Sequence, residues 1–505
     1  MKAHLLINNL NIYLQNLDFN SFIERIKSWH VIIIILSIYY LGFIPNDNEE
    51  NYLQLAKAFV NPEWIKDSFI FSESSGARIL YQYIVGFFLN YFSFETVTIL
   101  FRLILITLYA FVLSNIYKKI KCSNLCIAVH LVFLFIDNQS FFGGSWMLIS
   151  VEAKGFAYLF ALLALYNVLN KKNYLAILFL IIATYFHILV GFYMFFYLIL
   201  TMITLDKITI KNIKSIVLKG LLYTIAILPF VIYLLSSMHV DPNLKPNSDW
   251  IYTYYRNSHH TAIFKSLDYF LHNHLFGVTY AVFGLIFLIS LKTQKKQSFE
   301  LNVLYNFAII SLFITLLIIP LSYFDKSGTF LKYYPYRINT VSTFILTMLI
   351  VRWAFNAINK KHYNKVYFFV ILLLFLSILP LTLSRLKKSV EYLKTNPLDE
   401  ICQYINENTE KQAIIFSPIE AYDMTRKMER SRFVLHKFVP ADLSKIHEWY
   451  YRVEAKEVVL KNSDSLKQLT KKYRIDYFLS ENKHKKDHLN LIYKNEKYFL
   501  YKVDH

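Results

Sequence analysis

Charged residues and cysteines are scarce in this chain of 505 residues, and each shortage excludes a class of protein. Charged side chains make up 18% of the sequence, whereas soluble domains carry about a quarter. Because hydrophobic residues make up 55%, the composition predicts an integral membrane protein. The three cysteines are too few for a disulfide framework, and the C-x-x-x-C pair Cys122 and Cys126, without histidine partners, does not predict a metal site.

Motifs of nucleotide and hydrolase chemistry are also missing. The sequence has no Gly-rich nucleotide loop, no G-x-S-x-G elbow and no paired zinc motif, so soluble nucleotide chemistry has no recognisable site. The formal net charge is +19, but the basic residues lie mostly in short clusters between apolar runs. Such clusters orient membrane helices, so we expect the lipid bilayer as a partner and no nucleic acid.

Apolar runs that approach the roughly 20 residues needed to cross a bilayer dominate the sequence. Eleven are present, at 31–45, 97–117, 124–137, 152–169, 174–186, 188–205, 216–236, 275–291, 301–324, 338–355 and 365–383. If every basic cluster between them is cytoplasmic, the chain runs from a cytoplasmic N-terminal segment, 1–28, to a non-cytoplasmic C-terminus. Segment 76–94 must then lie along the surface, inside a long first outer loop, 46–96. We therefore predict a polytopic α-helical membrane protein with about 11 transmembrane helices.

The sequence changes character after the last apolar run. The transmembrane part is expected to cover 29–384, and residues 385–505 alternate between helical and strand patterns. Helices are predicted at 398–408, 442–458 and 463–474, and strands at 413–416, 432–436, 476–480, 489–494 and 498–503. This alternation predicts a small C-terminal α/β domain on the non-cytoplasmic side.

An acidic cluster, Asp47, Glu49 and Glu50, lies within one turn of the outer end of the first predicted span. A carboxylate at that position could act as a general base on an acceptor hydroxyl, or hold a divalent cation such as Mg or Mn. The alternative is a solvated cap that ends an apolar helix. Three carboxylates in four residues exceed what helix termination needs, so we favour a functional role.

Four basic side chains and one further carboxylate on the predicted outer face are candidates for binding a substrate. Glu152 and Lys154 open the fourth apolar run and could form an interfacial ion pair or contact a lipid phosphate. Arg337 breaks the positive-inside trend, so it needs a protein carboxylate, a lipid-linked phosphate, or an aromatic belt beneath which it snorkels. Arg78 and Arg256 are weaker candidates for the same kinds of contact.

Three histidines on the predicted outer face could bind a metal or act as general acids. His187 lies at the tip between the runs 174–186 and 188–205, whereas His259 and His260 form an isolated pair. A structural role is the alternative for each of them, and a single histidine at a hairpin tip more often has that role.

Taken together, a first span that ends in an acidic cluster, a long outer loop, many further spans and a C-terminal outer domain resemble the GT-C superfamily of integral-membrane glycosyltransferases. Three local motifs strengthen the likeness: D-N-E-E-N-Y-L from Asp47, S-V-E-A-K-G-F-A-Y from Ser150 and Y-F-H-I-L-V-G from Tyr185. The pattern is most similar to bacterial branches without an assigned activity. That resemblance implies a multi-pass protein of the bacterial cytoplasmic (inner) membrane, with the C-terminal domain outside the cytoplasm.

The resemblance also implies roles for the candidate residues. Members of the superfamily transfer sugars from polyprenyl-phosphate donors on the non-cytoplasmic face. Asp47 would match the first-loop acidic residue that serves as base or metal ligand, with Glu49 or Glu50 as the alternative. Glu152 would match the second-loop acidic position, and Arg337 would contact the lipid phosphate.

The expected function is transfer of a hexosyl or pentosyl group from a polyprenyl-phosphate-linked donor to a glycan or lipid acceptor, in cell-surface polysaccharide or glycolipid assembly. The acceptor hydroxyl would attack the anomeric carbon with inversion. The polyprenyl phosphate would be the leaving group, and Arg337 and Lys154 would stabilise its negative charge. The tail departs from the oligosaccharyltransferase branch, because Glu448 to Arg452 does not form its W-W-D-type motif. Protein N-glycosylation is therefore not expected.

A competing interpretation is a transporter or flippase, or a non-catalytic membrane component of lipid-linked glycan export. A transporter should place ionisable residues deep inside its spans and show broken helices in matching halves. The apolar runs are nearly uncharged apart from Arg102 and His130, and no inverted repeat is visible. These features favour the transferase.

Overall fold

A computed structural model describes the chain from residue 24 to residue 504. Within that range it leaves out 73–74, 137–138, 149, 206–208, 237–239, 295–296, 358–362, 393, 395, 441 and 463–464. Most of the predicted N-terminal segment, 1–28, therefore lies outside the described residues, and its cytoplasmic location stays a prediction.

Helices account for most of the chain before residue 393, and each of the eleven predicted apolar runs overlaps one of them. The longer helices are α1 (Ser28–Tyr40), α2 (Asp47–Val60), α3 (Ile79–Leu89), α4 (Phe94–Lys119), α5 (Asn124–Ile136), α6 (Ala153–Leu169), α7 (Asn173–Phe186), α8 (Ile188–Leu205), α9 (Ile210–Ser236), α10 (Leu267–Asn273), α11 (Leu275–Gln294), α12 (Phe299–Phe324), α13 (Asn339–Ala357) and α14 (Tyr363–Tyr392). Short helical turns lie at Ser248–Trp250, Ile251–Arg256 and Ser258–Thr261.

Six of these helices are long and apolar enough to cross a bilayer, counting only residues that the structure describes: α4, α8, α9, α11, α12 and α13. Helices α1, α5, α6 and α7 are apolar but have 10 to 17 residues, as does the apolar segment that contains α3. The chain is therefore a polytopic helical membrane protein. A total of eleven spans stays a prediction.

The two ends of the helical bundle differ in charge and in the parts of the chain that cover them. At one end lie basic clusters that were predicted to be cytoplasmic. There Arg352 Nε donates to the carbonyl of Ile120 at 2.7 Å, and Lys171 Nζ lies 4.7 Å from the centre of the Phe299 ring. The opposite end carries the long loops around α2, before α6 and after α12, together with the C-terminal domain. The positive-inside pattern predicts this separation, while the membrane side that each end faces stays a prediction.

The C-terminal domain is a small mixed sheet with helices, as its alternating pattern predicts. Its strands are β1 (Ile414–Phe416), β2 (Ser431–Arg432), β3 (Tyr477–Ser480), β4 (Leu489–Lys494) and β5 (Phe499–Val503), and its helices are α15 (Pro397–Asn408), α16 (Met424–Met428), α17 (Ile446–Lys461) and α18 (Ser465–Lys472). The strand order is β2-β1-β3-β5-β4. Strand β1 runs parallel to β2 and β3, and β5 runs antiparallel to β3 and β4. Helix α14 continues beyond the predicted boundary at 385 to Tyr392.

The C-terminal domain docks directly on α2 and the loop that follows it. Gln54 Nε2 donates to the carbonyl of Tyr422 at 2.8 Å, and Trp64 Nε1 donates to Glu429 Oε1 at 2.9 Å. Both contacts join residues more than 350 positions apart in the chain. The C-terminal domain therefore packs on the segment predicted as the first outer loop.

Helix α3 packs closely along α2, within the segment predicted to form a surface helix. Gln82 Nε2 donates to the carbonyl of Leu55 at 3.3 Å. A Cβ added at Gly86 would lie 2.4 Å from the carbonyl oxygen of Ala56, which is closer than any real Cβ contact. Only glycine lets the two backbones approach to this distance.

Replacing Gly86 with alanine should push α3 away from α2 and lower the free energy of unfolding by about 1–3 kcal/mol. The check is the thermal unfolding midpoint of the purified protein in detergent. Gly220→Ala is the matched control, because Gly220 also lies inside a helix but has no atom within 4 Å of the added Cβ. Equal midpoints for the two variants would contradict the close packing of α3 on α2.

Candidate functional site

A cavity of about 370 Å³ lies between the loop end of the helical bundle and the C-terminal domain. Five separate parts of the chain form its wall: the start of α2, the loop into α6, the turns around Ile251–Arg256, the loop into α13, and the C-terminal domain. The lining side chains are Asn48, Asn51, Tyr52, Trp146, Glu152, Lys154, Arg256, Asn257, His259, His260, Tyr334, Arg337, Tyr422, His436 and Lys437. The fold therefore brings together six residues that the sequence singled out: Glu152, Lys154, Arg256, His259, His260 and Arg337.

A second depression, larger and more open at about 520 Å³, lies at the end of α12 and is mainly apolar. Its one charged lining residue among those described is Asp325. That carboxylate accepts the backbone N–H groups of Gly328 and Thr329 through Oδ1, and those of Phe330 and Leu331 through Oδ2, at 2.8–3.1 Å. Because Asp325 is fully used in holding its own loop, this depression offers no reactive group, and the polar cavity is the better candidate site.

Positive charge dominates the lining of the polar cavity. Among the described lining residues, the cations are Lys154, Arg256, Arg337 and Lys437, whereas Glu152 supplies the one carboxylate. The neighbouring histidines add no charge near neutral pH, because burial and then the nearby cations lower the pKa of His259 and, more strongly, that of His260. A cavity with this balance attracts an anion.

Several polar atoms at the cavity are buried without a hydrogen-bond partner in the described part of the chain. The donors are Trp146 Nε1, Arg256 Nε and Arg337 Nε, and the acceptors are Asn51 Oδ1 and Glu152 Oε2. A buried donor left unpaired costs about 1–3 kcal/mol, so native proteins keep few of them without a reason. Three unpaired donors around one cavity indicate a site shaped for a ligand rich in acceptor oxygens.

Arg337 is held at the edge of the cavity by neutral groups. Its Nη1 donates to Ser145 Oγ at 2.9 Å, and its guanidinium carbon lies 4.6 Å from the centre of the Tyr334 ring. It forms no ion pair with any carboxylate that the structure describes, although it is only 8% exposed. Of the partners predicted for Arg337, a protein carboxylate is therefore not observed, and contact with an aromatic ring is.

Glu152 and Lys154 form the ion pair that was one of their two predicted states. Lys154 Nζ lies 3.0 Å from Glu152 Oε2 and 4.6 Å from the centre of the Trp146 ring. The Ser150 hydroxyl donates to Glu152 Oε1. Although Oε2 is paired in charge, it accepts no well-aligned hydrogen bond from the described residues. The pair lines the cavity, so Glu152 fixes the position of the lysine without removing it from a ligand's reach.

The predicted acidic cluster is split by the fold, and Glu49 becomes an internal anchor. Its carboxylate accepts Arg102 Nε and the backbone N–H of Val151, both at 2.8 Å, and it also pairs with Arg102 Nη2. It further closes a capping box with Asn46, whose side chain accepts the N–H of Glu49 while Glu49 Oε2 accepts the N–H of Asn46. Because Glu49 is 0% exposed and its oxygens are engaged, the structure does not support a catalytic role for it.

Glu50 and Asp47 have different surroundings again. Glu50 is buried against Arg426 of the C-terminal domain, with Nε 2.9 Å from its carboxylate, so it joins α2 to the domain. Asp47 is exposed and forms no hydrogen bond or ion pair with a described residue. Burial lowers the pKa of Lys437, and the Asp47 carboxylate opposes that shift, which places Asp47 within electrostatic reach of the cavity. Of the three carboxylates, only Asp47 is free to act on a substrate.

The remaining predicted residues surround the cavity at different depths. The Arg78 guanidinium lies 5.1 Å from the ring of the lining residue Tyr52. His187 lies between α7 and α8, as predicted, and is buried with no partner for Nδ1 among the described residues. His260 Nδ1 makes a 2.9 Å hydrogen bond to the carbonyl of Gly144, which supports the structural alternative for that histidine.

Asp47 and Glu49, the residues predicted to hold a divalent cation if one binds, have different surroundings, and the metal requirement stays a prediction. Glu49 is closed off by Arg102 and its capping box, while Asp47 is exposed. Within the ranges that the structure describes, no group of three or more His, Cys, Asp or Glu side chains is arranged to hold a metal ion. We therefore derive no step through a metal ion.

In comparisons with known proteins, no family model and no curated protein matches this chain. Function is therefore inferred from the cavity itself. Sequence reasoning missed Trp146 and Lys437 as parts of the cavity, and it missed Arg102 as the partner of Glu49. A signal existed for Arg102, because an arginine inside an apolar run needs a buried partner. No local signal existed for Lys437, which reaches the cavity only because the C-terminal domain docks on α2.

Proposed function

We propose that the chain transfers a sugar from a polyprenyl-phosphate-linked donor to a glycan or lipid acceptor, at the membrane end that carries the C-terminal domain. The observation that carries this proposal is the cation-lined cavity with unpaired buried donors, enclosed between apolar helices and a folded domain. A phosphodiester offers only acceptor oxygens and a negative charge, so it complements the donors of Arg337 and Trp146. A polyprenyl chain attached to that phosphate would remain in the bilayer.

The proposal includes the finer architecture that the sequence predicts. It comprises about 11 spans in a GT-C-like arrangement in the bacterial cytoplasmic (inner) membrane, with the C-terminal domain outside the cytoplasm. Two observations support it. All eleven predicted runs overlap helices, and the described basic clusters next to Ile120 and at Lys171 lie at the end opposite to the C-terminal domain.

The cations of the cavity would stabilise the leaving group. As the bond between the anomeric carbon and the phosphate oxygen breaks, its electron pair passes to the polyprenyl phosphate. Arg337, which has no competing carboxylate among the described residues, and Lys154, which Glu152 orients, would face the negative charge that develops there. Preorganised donors in a partly enclosed site are effective in this role because they need no rearrangement during the reaction.

Asp47 would act as the general base on the acceptor. Its carboxylate takes the proton of the acceptor hydroxyl while the acceptor oxygen forms the new bond to the anomeric carbon. Asp47 occupies the first turn of α2, immediately before Asn48, which lines the cavity. It is exposed and has no partner among the described residues, whereas Glu49 and Glu50 are each committed to an arginine.

Cells that carry Asp47→Asn should lose the transferred sugar from their surface glycan as completely as a deletion strain, because a general base contributes about 10²–10⁴-fold to the rate. The measurement is the glycan profile, compared at equal protein level in the membrane. Asp67→Asn is the matched control, since Asp67 is exposed on the same outer loop and asparagine tolerates its positive φ.

Three outcomes separate the alternatives. Loss with Asp47→Asn but not with Asp67→Asn supports transfer with Asp47 as base. If the glycan is intact with Asp47→Asn but the sugar is lost with Arg337→Gln, the phosphate site is supported and the role of Asp47 as general base is contradicted. An intact glycan with both variants, while deletion alters it, favours a transporter, a flippase or a non-catalytic export component.

A further inference from the structure

The charge of the cavity exceeds what one lipid-linked donor requires. Four lining cations and one lining carboxylate leave an excess of three positive charges among the described residues, and the nearby Asp47 reduces it to two. The phosphodiester of a polyprenyl-phosphate-linked sugar carries a single negative charge. At least one cation therefore has no counter-charge when the donor is bound, and an unbalanced charge in a partly enclosed site is costly.

The cations fall into two groups by the part of the chain that carries them. Arg337 and Lys154 belong to the helical bundle, Arg337 just before α13 and Lys154 in the first turn of α6. Arg256 lies in the turn Ile251–Arg256 and Lys437 in the C-terminal domain, and Arg256 Nη2 donates to the backbone carbonyl of Lys437 at 3.3 Å. The turn that carries Arg256 is fastened to the same domain by Tyr255, whose hydroxyl donates to Glu454 at 2.7 Å.

No carboxylate among the described residues is in ion-pair contact with Arg256 or Lys437, and Asp47 acts on Lys437 only from a longer distance. In addition, Arg256 Nε is buried without a hydrogen-bond partner in the described part of the chain. Lys437 Nζ lies 4.5 Å from the centre of the Tyr422 ring, a contact that holds the ammonium beside the cavity without neutralising it. Two neighbouring positive charges, together with the unpaired N–H of Arg256 Nε, form a suitable binding site for an oxyanion.

We infer that the second substrate carries its own negative charge, a carboxylate or phosphate group that Arg256 and Lys437 hold under the C-terminal domain. This inference rests on the proposed function, because the bundle-side cations are assigned to the donor phosphate. An acidic glycan or a phosphorylated acceptor fits the site, and a neutral one leaves two cations unpaired. Arg256 and Lys437 are then the residues that determine acceptor specificity.

The test uses the full-length protein in phosphatidylcholine nanodiscs, titrated with undecaprenyl phosphate and then, at saturation, with inorganic phosphate, galacturonate or galactose. We expect the loaded protein to bind one further phosphate or galacturonate, and galactose at least tenfold more weakly. Lys437→Gln and Arg256→Gln should each weaken that second anion at least tenfold, about the effect of one charge-assisted hydrogen bond. They should leave undecaprenyl phosphate binding within twofold. Lys485→Gln, an exposed lysine of the same domain, is the matched control.

Each result has one meaning. Tighter binding of galacturonate would indicate that the acceptor carries a carboxylate, and tighter binding of phosphate would indicate that it carries a phosphate group. If the loaded protein binds neither anion, or if the two variants weaken the binding of undecaprenyl phosphate instead, the surplus charge belongs to the donor and the inference is overturned. If undecaprenyl phosphate does not bind but the Lys437-dependent anion does, the proposed function fails while the anion site remains.

Discussion

Replacing Arg102 with methionine is expected to lower the free energy of unfolding by about 3–5 kcal/mol, a large share of the roughly 5–15 kcal/mol that a folded protein has. The Glu49 carboxylate would then be left buried without its cation. Arg102 also donates to the carbonyls of Gly42 at 2.7 Å and Ile44 at 3.0 Å, so the same change frees the chain between α1 and α2. The measurement is the amount of protein in the membrane together with its unfolding midpoint in detergent.

The double variant Arg102→Met with Glu49→Gln is the control for this prediction. It removes both charges while the glutamine can still accept the N–H of Asn46, so it should recover part of the lost stability. The charge interaction would be refuted if the single arginine variant unfolded at the wild-type temperature. It would also be refuted if the double variant were less stable than either single one.

This pair shows what the sequence could and could not predict about the site. The acidic cluster after the first span was correctly singled out, but its three members look alike in the sequence. Their roles are set by partners far along the chain: Arg102 is 53 residues from Glu49, and Arg426 is 376 residues from Glu50. Local periodicity locates helices because it depends on neighbours three and four positions apart, and it contains no information about such distant partners.

The same distinction applies to the fold. Apolar runs predicted the helices because membrane crossing fixes their length and composition. The strand predicted at 432–436 is observed only as Ser431–Arg432, because only these two residues pair with β1. Glu152, Lys154 and Arg337 were predicted from charge at a membrane boundary. Lys437 and Trp146 were missed, since they become part of the cavity only through docking of the C-terminal domain and the folding of the loop into α6.

Replacing Arg337 with glutamine is expected to weaken binding of the lipid-linked phosphate strongly while leaving the empty protein as stable as before, or more stable. Arg337 is buried and has no carboxylate partner in the part of the chain that the structure describes, so its charge costs free energy until a ligand neutralises it. Glutamine can keep a hydrogen bond to Ser145 and removes that cost. Loss of a charge-assisted, two-point contact with phosphate should weaken binding by about 10- to 100-fold.

The measurement is the rise in unfolding temperature that undecaprenyl phosphate produces, because a ligand that binds only the folded state stabilises it by mass action. We expect a concentration-dependent rise for the wild type and none for Arg337→Gln over the same range. Arg352→Gln is the matched control, since Arg352 lies at the opposite end of the bundle, on the helix that follows Arg337, and donates to the carbonyl of Ile120. A variant that unfolds early without ligand would make Arg337 a structural residue. A variant that keeps the full ligand-induced rise would place the phosphate elsewhere.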